Sequence, residues 1–462
     1  MTTQVFVAST AFGLATLTAA LEDGLFDAAD RRVLVLSTNA AVPEAAVAVT
    51  EVAGVDRLAA RFDAVHDYNQ LIAPQHPSLW RPRAADLPLL ERMVRRSWDL
   101  EGDVHLVVEC VWTAPSLTLC RIFADARVDV YADGLMSYGP TRDTIPAQVA
   151  CRLERLLHLD LVPGLVPVLL TEFGVPAQTI SSESFRTVVA TLDPPPAAVA
   201  DAPARSVAVV LGQYLAALDL VSAEEEATLV RAMVRHTAAA GFTRMVVKPH
   251  PGAPPAHGAQ LQHEAARLGV ELTFVDGPAL VEAWFRSPSV GLVVGCFSTA
   301  LMTASSLYDL PAARVGTELL MERLKPYENS NRVPLTVVDA WLPDLTRSVV
   351  PGPAARGEVA IGALVRAVSY CMQPERYPAL RPGAEAFLRT HWPVLGRYFR
   401  RRRLTLLDLP GRLPAPVVVE VPPAPVPAPV PGWEQAARRA LRPVRRRVRR
   451  LLRRGPTARA AR

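Results

Sequence analysis

The stretch "TRMVVKPHPG", residues 243–252, joins an apolar run to a lysine, a histidine and two prolines. Its residues 245–247 are typical of a strand that is buried on both faces. Pro249 and Pro251 have no backbone N–H group to donate, so we expect the strand to end before them. The sequence therefore predicts that His250 lies in a rigid turn at the carboxyl end of a strand.

Similar runs recur on both sides of this stretch, in two blocks, and helical patterns separate them. The first block contains "QVFVAS" (4–9), "RVLVLS" (32–37), "FDAVHDY" (62–68), "DVHLVVE" (103–109) and "RVDVYAD" (127–133). The second contains "VAVVLGQYL" (207–215), the quoted stretch, "VELTFVD" (270–276), "SVGLVVG" (289–295) and "AARVG" (312–316). This alternation predicts an α/β protein whose mostly parallel sheets are covered by helices.

The Pro- and Ala-rich run "TLDPPPAAVADAPARS" (191–206) separates the two blocks and is predicted to be a linker. We therefore expect an N-terminal domain at residues 1–195 and a C-terminal domain at 205–400. Parallel α/β domains bind ligands at the carboxyl ends of their strands. Two such domains facing each other place the predicted site in the cleft between them.

Charge is distributed unevenly along the chain, although its formal total is +5. The proline-rich run at 411–432 is predicted to be an extended linker. Residues 433–462 hold 12 arginines and one glutamate, so this tail carries +11 and residues 1–432 carry −6. Apolar residues at helical spacing in the tail predict a basic amphipathic helix, which favours an anionic membrane surface over nucleic acid.

Other classes of protein and site are disfavoured by what the sequence lacks. The five cysteines form no C-x-x-C pair, which argues against a zinc ribbon or a disulfide framework. No Asp-x-Asp motif is present, and we expect neither a metal nor a cofactor. The N-terminus has no signal-peptide pattern and no apolar run reaches a membrane-spanning length, so we expect a cytoplasmic or peripheral protein.

Three predicted strand ends carry candidate functional residues. They are Asp133-Gly134 in "VYADGLMSYG" (130–139), Lys248 and His250 in "KPHP", and Ser298-Thr299 in "VVGCFSTALMTAS" (293–305). The third one places two hydroxyls at a predicted helix N-terminus, where free N–H groups favour a phosphate. Each has an ordinary alternative, namely a turn aspartate, a turn histidine and an N-cap serine.

As an ordered set, these motifs resemble the bacterial α-2,8-polysialyltransferases and their actinobacterial relatives. That family carries an acidic-acidic-glycine motif, a His-Pro motif and a Ser/Thr pair on a GT-B fold, which has two Rossmann-like domains. The counterparts here are Asp133-Gly134, His250-Pro251 and Ser298-Thr299, and the likeness takes in "LGQYL" (211–215) and extends over residues 3–400.

The resemblance implies inverting, metal-independent transfer of sialic acid from a CMP-activated donor to a glycan or glycolipid acceptor. His250 would contact the donor phosphate and help CMP to leave, and Asp133 would accept the proton of the acceptor hydroxyl. The donor-binding residues would be Gly212, Gln213, Lys248, Pro251, Ser298 and Thr299. The protein would then act at the inner face of the cell membrane, held there by residues 433–462.

One departure from the family pattern leaves alternatives open. The first acidic position, which usually supplies the base, is Ala132 here, so the base is Asp133 or Glu109 at the neighbouring strand end. A literal Glu22-Asp23-Gly24 occurs where a helix is predicted to end, away from the cleft. The departure is also compatible with a GT-B enzyme that uses another nucleotide sugar, or with an inert binding subunit of a surface-polysaccharide complex.

Overall fold

The computed structural model describes residues 1–40, 47–132, 134–212, 215–249, 258–275, 277–347 and 360–414. Met1–Leu413 form one compact unit. The predicted tail at 433–462 and all but the start of the linker at 411–432 lie outside the described residues. The domain boundaries at 195 and 205 stay predictions.

The first sheet is built from strands of the N-terminal half, and all of its neighbouring strands are parallel. Within the described residues it has seven strands, in the order β3-β2-β1-β4-β5-β6-β7. Their bounds are Thr2–Ala8 (β1), Arg31–Leu36 (β2), Ala64–Asp67 (β3), Asp103–Val108 (β4), Arg127–Ala132 (β5), Leu153–Leu159 (β6) and Ala177–Ile180 (β7).

The second sheet follows in the C-terminal half and is also parallel. Its five described strands have the order β10-β9-β8-β11-β12. They are Val207–Leu211 (β8), Arg244–Lys248 (β9), Glu271–Phe274 (β10), Val290–Gly295 (β11) and Ala312–Arg314 (β12). Both sheets place their first strand beside their fourth, which is the Rossmann arrangement. Two such sheets confirm the predicted α/β fold of the GT-B type.

Helices connect the strands and cover the sheets. In the first half they are Ala11–Glu22 (α1), Val55–Ala59 (α2), Tyr68–Ile72 (α3), Leu87–Ser97 (α4), Ser116–Ile122 (α5), Ala147–Ala150 (α6), Ser182–Val189 (α7) and Ala197–Ala200 (α8). The rest are Ala223–Ala239 (α9), Gly258–Leu268 (α10), Thr299–Met302 (α11), Thr317–Arg323 (α12), Arg332–Trp341 (α13), Ile361–Met372 (α14), Arg381–Leu395 (α15) and Arg401–Leu406 (α16). A π-helical turn, Thr303–Leu307, directly follows α11.

The apolar strand runs have a direct physical cause, since helices bury both faces of each sheet. In β1, Val5 and Val7 pack into one apolar cluster, whereas Phe6 packs into another. The cluster around Phe6 also contains Val209 of β8 and Val293 of β11. One continuous core therefore joins the two sheets.

Specific hydrogen bonds also connect the two halves. Arg186 of α7 donates to the carbonyl of Leu307 at 2.8 Å, and the hydroxyl of Ser306 donates to the carbonyl of Leu161 at 2.8 Å. These bonds pin the π turn to the N-terminal half.

The segment between α14 and α15 returns to the first half through Tyr377. Its hydroxyl donates to Glu172 at 2.6 Å and accepts from the backbone N–H of Thr141 at 2.8 Å. Two separate segments of the second half, the π turn and the α14–α15 connection, are thus anchored on the first half.

The expected strands are all present, but the sequence analysis missed β6 and β7 at one edge of the first sheet. The predicted 191–206 linker contains the short helix α8. Helix α1 ends at Glu22, and Asp23 accepts hydrogen bonds from Ser181 and Ser184. Among the described helices, none combines the length and the apolar character needed to cross a bilayer.

A buried carboxyl group makes the stability of this core depend on pH. Glu282 is 3% exposed, and the hydroxyl of Thr303 in the π turn donates to it at 3.2 Å. Burial raises the pKa of Glu282 to about 7, from an ordinary 4.5. The folded protein thus keeps a proton that the unfolded chain has already released between these two values.

We therefore predict that ionisation of Glu282 lowers the unfolding free energy of the wild-type protein as the pH rises from about 4.5 to about 7. Each pKa unit is worth about 1.4 kcal/mol, so the loss approaches about 3 kcal/mol. Glu282→Gln should be free of this contribution, and its unfolding free energy relative to wild type should increase between pH 5 and pH 8. The exposed Glu51→Gln is the control; parallel pH profiles for wild type and Glu282→Gln would contradict the assignment.

Candidate functional site

The carboxyl ends of β1, β4 and β5 lie side by side, because these strands are neighbours in a parallel sheet. Ser9 follows β1, Glu109 follows β4, and Ala132 ends β5 just before Asp133. In the second sheet, Gly212 follows β8 and Gly295 ends β11. Rossmann-like sheets bind ligands at this divergence of the first and fourth strands.

Glu109 is half-buried and is held by three donors. The Ser9 backbone N–H donates to Oε1 at 2.8 Å, and the Ser9 hydroxyl donates to Oε2 at 2.6 Å. The Tyr131 hydroxyl lies 2.8 Å from Oε1. A carboxylate has about four lone-pair positions, so most of them are occupied. This arrangement fixes the start of α1 against the ends of β4 and β5.

Sequence reasoning missed Ser9 and Tyr131 as partners of the candidate base. The signal for Ser9 was present, because "VAST" places two hydroxyl residues directly after a strand. Gly13 in α1 also belongs to this group, since a Cβ atom there would lie 3.0 Å from Glu109 Oε1 and 3.0 Å from the Tyr131 hydroxyl. The absence of a side chain at Gly13 leaves space for the carboxylate.

Gly134 brings the acidic-glycine motif against the Ser/Thr motif of the other half. A Cβ atom added to Gly134 would lie 2.9 Å from Thr299 Oγ1. The backbone N–H of Leu135 points to the same oxygen over a long 3.5 Å. The turn after β5 and the turn after β11 are therefore in direct contact at Gly134 and Thr299.

Ser298 is the N-cap of α11, and its Oγ accepts from the Ala300 N–H at 3.2 Å. A hydroxyl that accepts one hydrogen bond still has a proton to donate. The helix itself departs from expectation, because α11 has four residues before the π turn begins. A helix this short contributes little macrodipole, so a phosphate at this turn would be held mainly by the two hydroxyls and the backbone N–H groups.

Gly212 and Lys248 lie next to each other at the ends of β8 and β9. The Gly212 N–H donates to the Lys248 carbonyl at 2.8 Å, and the Lys248 ammonium donates to the Gly277 carbonyl. Lys248 thus ties the end of β9 to the segment that follows β10. Asp133, Gln213, His250 and Pro251 lie outside the described residues.

A second polar cluster crosses the first sheet away from these strand ends. Among the described residues, His105, Asp129 and Glu154 bring ligand-type atoms within 4.8 Å of one another. Arg155 donates twice to Asp129 Oδ2, at 2.9 and 2.8 Å, and His105 Nε2 lies 3.1 Å from the same oxygen. Burial opposes ionisation of Asp129, but hydrogen bonds from His105 and Arg155 outweigh it and lower its pKa. Asp129 and Arg155 thus form a largely buried ion pair, and Glu154 lies at the exposed edge of the cluster.

The close contact between Gly134 and Thr299 predicts that a side chain at position 134 would be destabilising. The Gly134 backbone, with φ −169° and ψ −170°, is accessible to any residue, so only Thr299 restricts a side chain there. We predict that Gly134→Ala lowers the unfolding free energy by about 1 kcal/mol. Adding Thr299→Ala should make the double variant more stable than the sum of the two single changes predicts.

The matched control is Gly383→Ala in α15, where a Cβ atom would meet nothing within 4 Å. This change should keep or raise the stability, because alanine favours a helix over glycine. Chemical denaturation of the four variants measures the effects. Strictly additive energies for Gly134→Ala and Thr299→Ala would mean that the two residues do not interact.

Comparison with solved structures finds partial similarities at low sequence identity. A UDP-glucosyltransferase from Polygonum tinctorium is 12% identical, with 88% of this chain and 97% of that chain covered and a TM-score of 0.40. A UDP-GlcNAc 2-epimerase from Methanocaldococcus jannaschii is 9% identical, with 80% and 100% covered and a TM-score of 0.40. Similarity at this level carries no argument about activity.

No curated protein sequence matches the chain. The family model described as "Alpha-2,8-polysialyltransferase (POLYST)" matches residues 4–317. This range covers both sheets and every candidate site residue, from Glu109 to Thr299. The chain therefore belongs to the alpha-2,8-polysialyltransferase family, a family of glycosyltransferases.

Proposed function

We propose that this glycosyltransferase moves sialic acid, or a related nonulosonic acid, from a CMP-activated donor to a cell-surface glycan or glycolipid acceptor. The observation that carries the proposal is the contact between Gly134 and Thr299, because it joins a motif of each sheet at one point. Family membership supports a nucleotide-sugar donor and a glycan acceptor.

In this proposal the acceptor hydroxyl attacks the anomeric carbon, and the bond from that carbon to the CMP phosphate oxygen breaks. The configuration inverts, because attack and departure take place on opposite faces of an oxocarbenium-like centre. Asp133 takes the proton of the acceptor hydroxyl, and His250 acts on the departing phosphate. No metal or cofactor is assigned a part in these steps.

Donor binding is assigned to the ends of β8, β9 and β11. Ser298 keeps a hydroxyl proton for a phosphate oxygen while its Oγ caps α11. Thr299 lies between this cap and the Gly134 turn, so it links the donor side to the acceptor side. Gly212 and Lys248 hold the ends of β8 and β9 together through their direct hydrogen bond, and β8 is the neighbour of β11. Gln213 and Pro251 complete the proposed donor-binding set.

The assignment of Asp133 as the base is supported by the contacts of Glu109. Ser9 and Tyr131 occupy the Glu109 carboxylate with three hydrogen bonds, which suits a positioning role for this residue. Ala132 stands at the family's usual position for the base. A catalytically inert binding subunit is the second candidate, and this substitution is the observation that favours it.

We further propose that residues 433–462 hold the enzyme at the inner face of the cell membrane. Their net charge of +11 attracts anionic headgroups, and the predicted amphipathic helix adds apolar burial. Lipid-linked acceptors at this surface would then be within reach of the site.

The donor assignment predicts that the purified protein releases CMP from CMP-sialic acid, and releases it faster when a glycan acceptor is added. His250→Ala should slow turnover at least about a hundredfold, as expected when a general acid is lost. The control is His263→Ala, an exposed histidine of α10. Release of UDP from UDP-sugars instead would select another donor; the absence of both products would favour the inert subunit.

The base assignment predicts that Asp133→Asn lowers turnover more than Glu109→Gln does. Glu109→Gln should mainly reduce stability, by about 1–3 kcal/mol, because its new amide group faces the Ser9 and Tyr131 donors. Turnover and unfolding are therefore measured on the same samples. Tyr131→Phe is the control for the hydrogen bonding of Glu109. If Glu109→Gln abolishes turnover in a stable protein and Tyr131→Phe shifts the pH profile, the base is Glu109.

A further inference from the structure

The end of α15 and the outer face of α16 form an exposed surface that the proposed chemistry does not use. We call this surface, residues 392–406, the α15–α16 corner. Val394 is 77% exposed and Leu406 is 78% exposed, more than any other large apolar side chain in the described residues. Leu404 is fully buried and anchors α16 to the core. The face of α16 opposite Leu404 is therefore turned to solvent. Exposed apolar side chains of this size favour a partner that removes them from water.

The corner is also strongly basic. Arg401 and Arg402 are exposed, and neither has a carboxylate within ion-pair distance in the part of the chain that the structure describes. On α16, Arg401, Arg402, Thr405 and Leu406 all lie on the exposed side. Two arginines without a carboxylate partner therefore lie about one turn before the exposed leucine, on the same side of α16.

A shallow groove of about 550 Å³ lies where α15 turns into α16. Its lining combines Pro393 and Val394 with Arg397 and Arg401. Two contacts hold the arginines in place: Arg397 binds Asp339 at 2.8 Å, and the Arg401 guanidinium stacks 5.3 Å from the Trp392 ring centre. The groove thus holds the Arg401 guanidinium directly beside apolar surface, whereas the charge of Arg397 is balanced by Asp339.

This combination matches the interface of a bilayer, where phosphate headgroups lie above the first carbons of the acyl chains. A nucleic acid would use the arginines but would leave Val394 and Leu406 exposed to water. The described chain ends at residue 414, eight residues after the corner, and the sequence beyond it leads to the arginine-rich residues 433–462.

We propose that the α15–α16 corner binds the surface of anionic phospholipid membranes, with Val394 and Leu406 entering the interface and Arg401 and Arg402 contacting lipid phosphates. This contact belongs to the folded unit, so it is distinct from the contact proposed for the tail. A folded contact fixes which side of the enzyme faces the membrane, which a flexible tether alone does not.

Vesicle sedimentation with the full-length protein tests the proposal. Vesicles of phosphatidylcholine with about a third phosphatidylglycerol are compared with pure phosphatidylcholine, where the attraction of arginines to anionic headgroups is absent. Val394→Glu/Leu406→Glu should lower the partition coefficient for anionic vesicles at least tenfold. Leu79→Glu/Leu89→Glu is the control, because these leucines are 74% and 68% exposed elsewhere on the same unit. The tail is unchanged in both variants.

The charged part of the corner is tested separately by Arg401→Gln/Arg402→Gln, which should weaken binding to anionic vesicles about tenfold and leave binding to neutral vesicles unchanged. Circular dichroism checks that each variant is folded. Equal partition of Val394→Glu/Leu406→Glu and the leucine control would overturn the proposal. So would arginine variants that lose binding to a DNA duplex but keep their affinity for vesicles.

Discussion

The close approach of Gly134 to Thr299 is the constraint on which the arrangement of the candidate site depends. It requires the turn after β5 and the turn after β11 to meet, although more than 150 residues separate them in sequence. The shared apolar core and the bonds of Arg186, Ser306 and Tyr377 hold the two sheets in this relation. The candidate site draws residues from both sheets, so its geometry depends on these contacts between the sheets.

Strands buried on both faces were the part of the fold that the sequence predicted most directly. Runs such as residues 290–295 are continuously apolar because each side chain meets a helix or a neighbouring strand. Strand β6 was missed because "LERLLHL" mixes charged and apolar residues in a pattern also typical of a helix. Its Arg155 binds Asp129 of β5 and Gln178 of β7, two partners that sequence alone does not identify.

The sequence predicted that the candidate residues follow the carboxyl ends of strands, and Glu109, Gly212 and Ser298 do so in the described residues. It did not predict the hydrogen bonds of Glu109, since Ser9 and Tyr131 lie about 100 and 22 residues away from it. The sequence also did not predict that α11 is only four residues long. Its change to a π turn coincides with tertiary contacts of Ser306 and Leu307, whose partners lie more than 100 residues away in sequence.

The π turn has a geometric consequence for the direction of everything that follows it. Each residue of an α-helix turns the chain by about 100°, so the wider turn at Thr303–Leu307 rotates later residues by about one residue's step relative to a regular helix. That rotation lets Ser306 face Leu161 while Ser298 still caps the first turn. Removing a single residue here would restore a regular α-helix. The Ser306 side chain would then point away from the N-terminal half. The π turn thus sets the rotational position of the residues that follow it. One short stretch of chain therefore contributes both to the candidate site and to the junction of the two sheets.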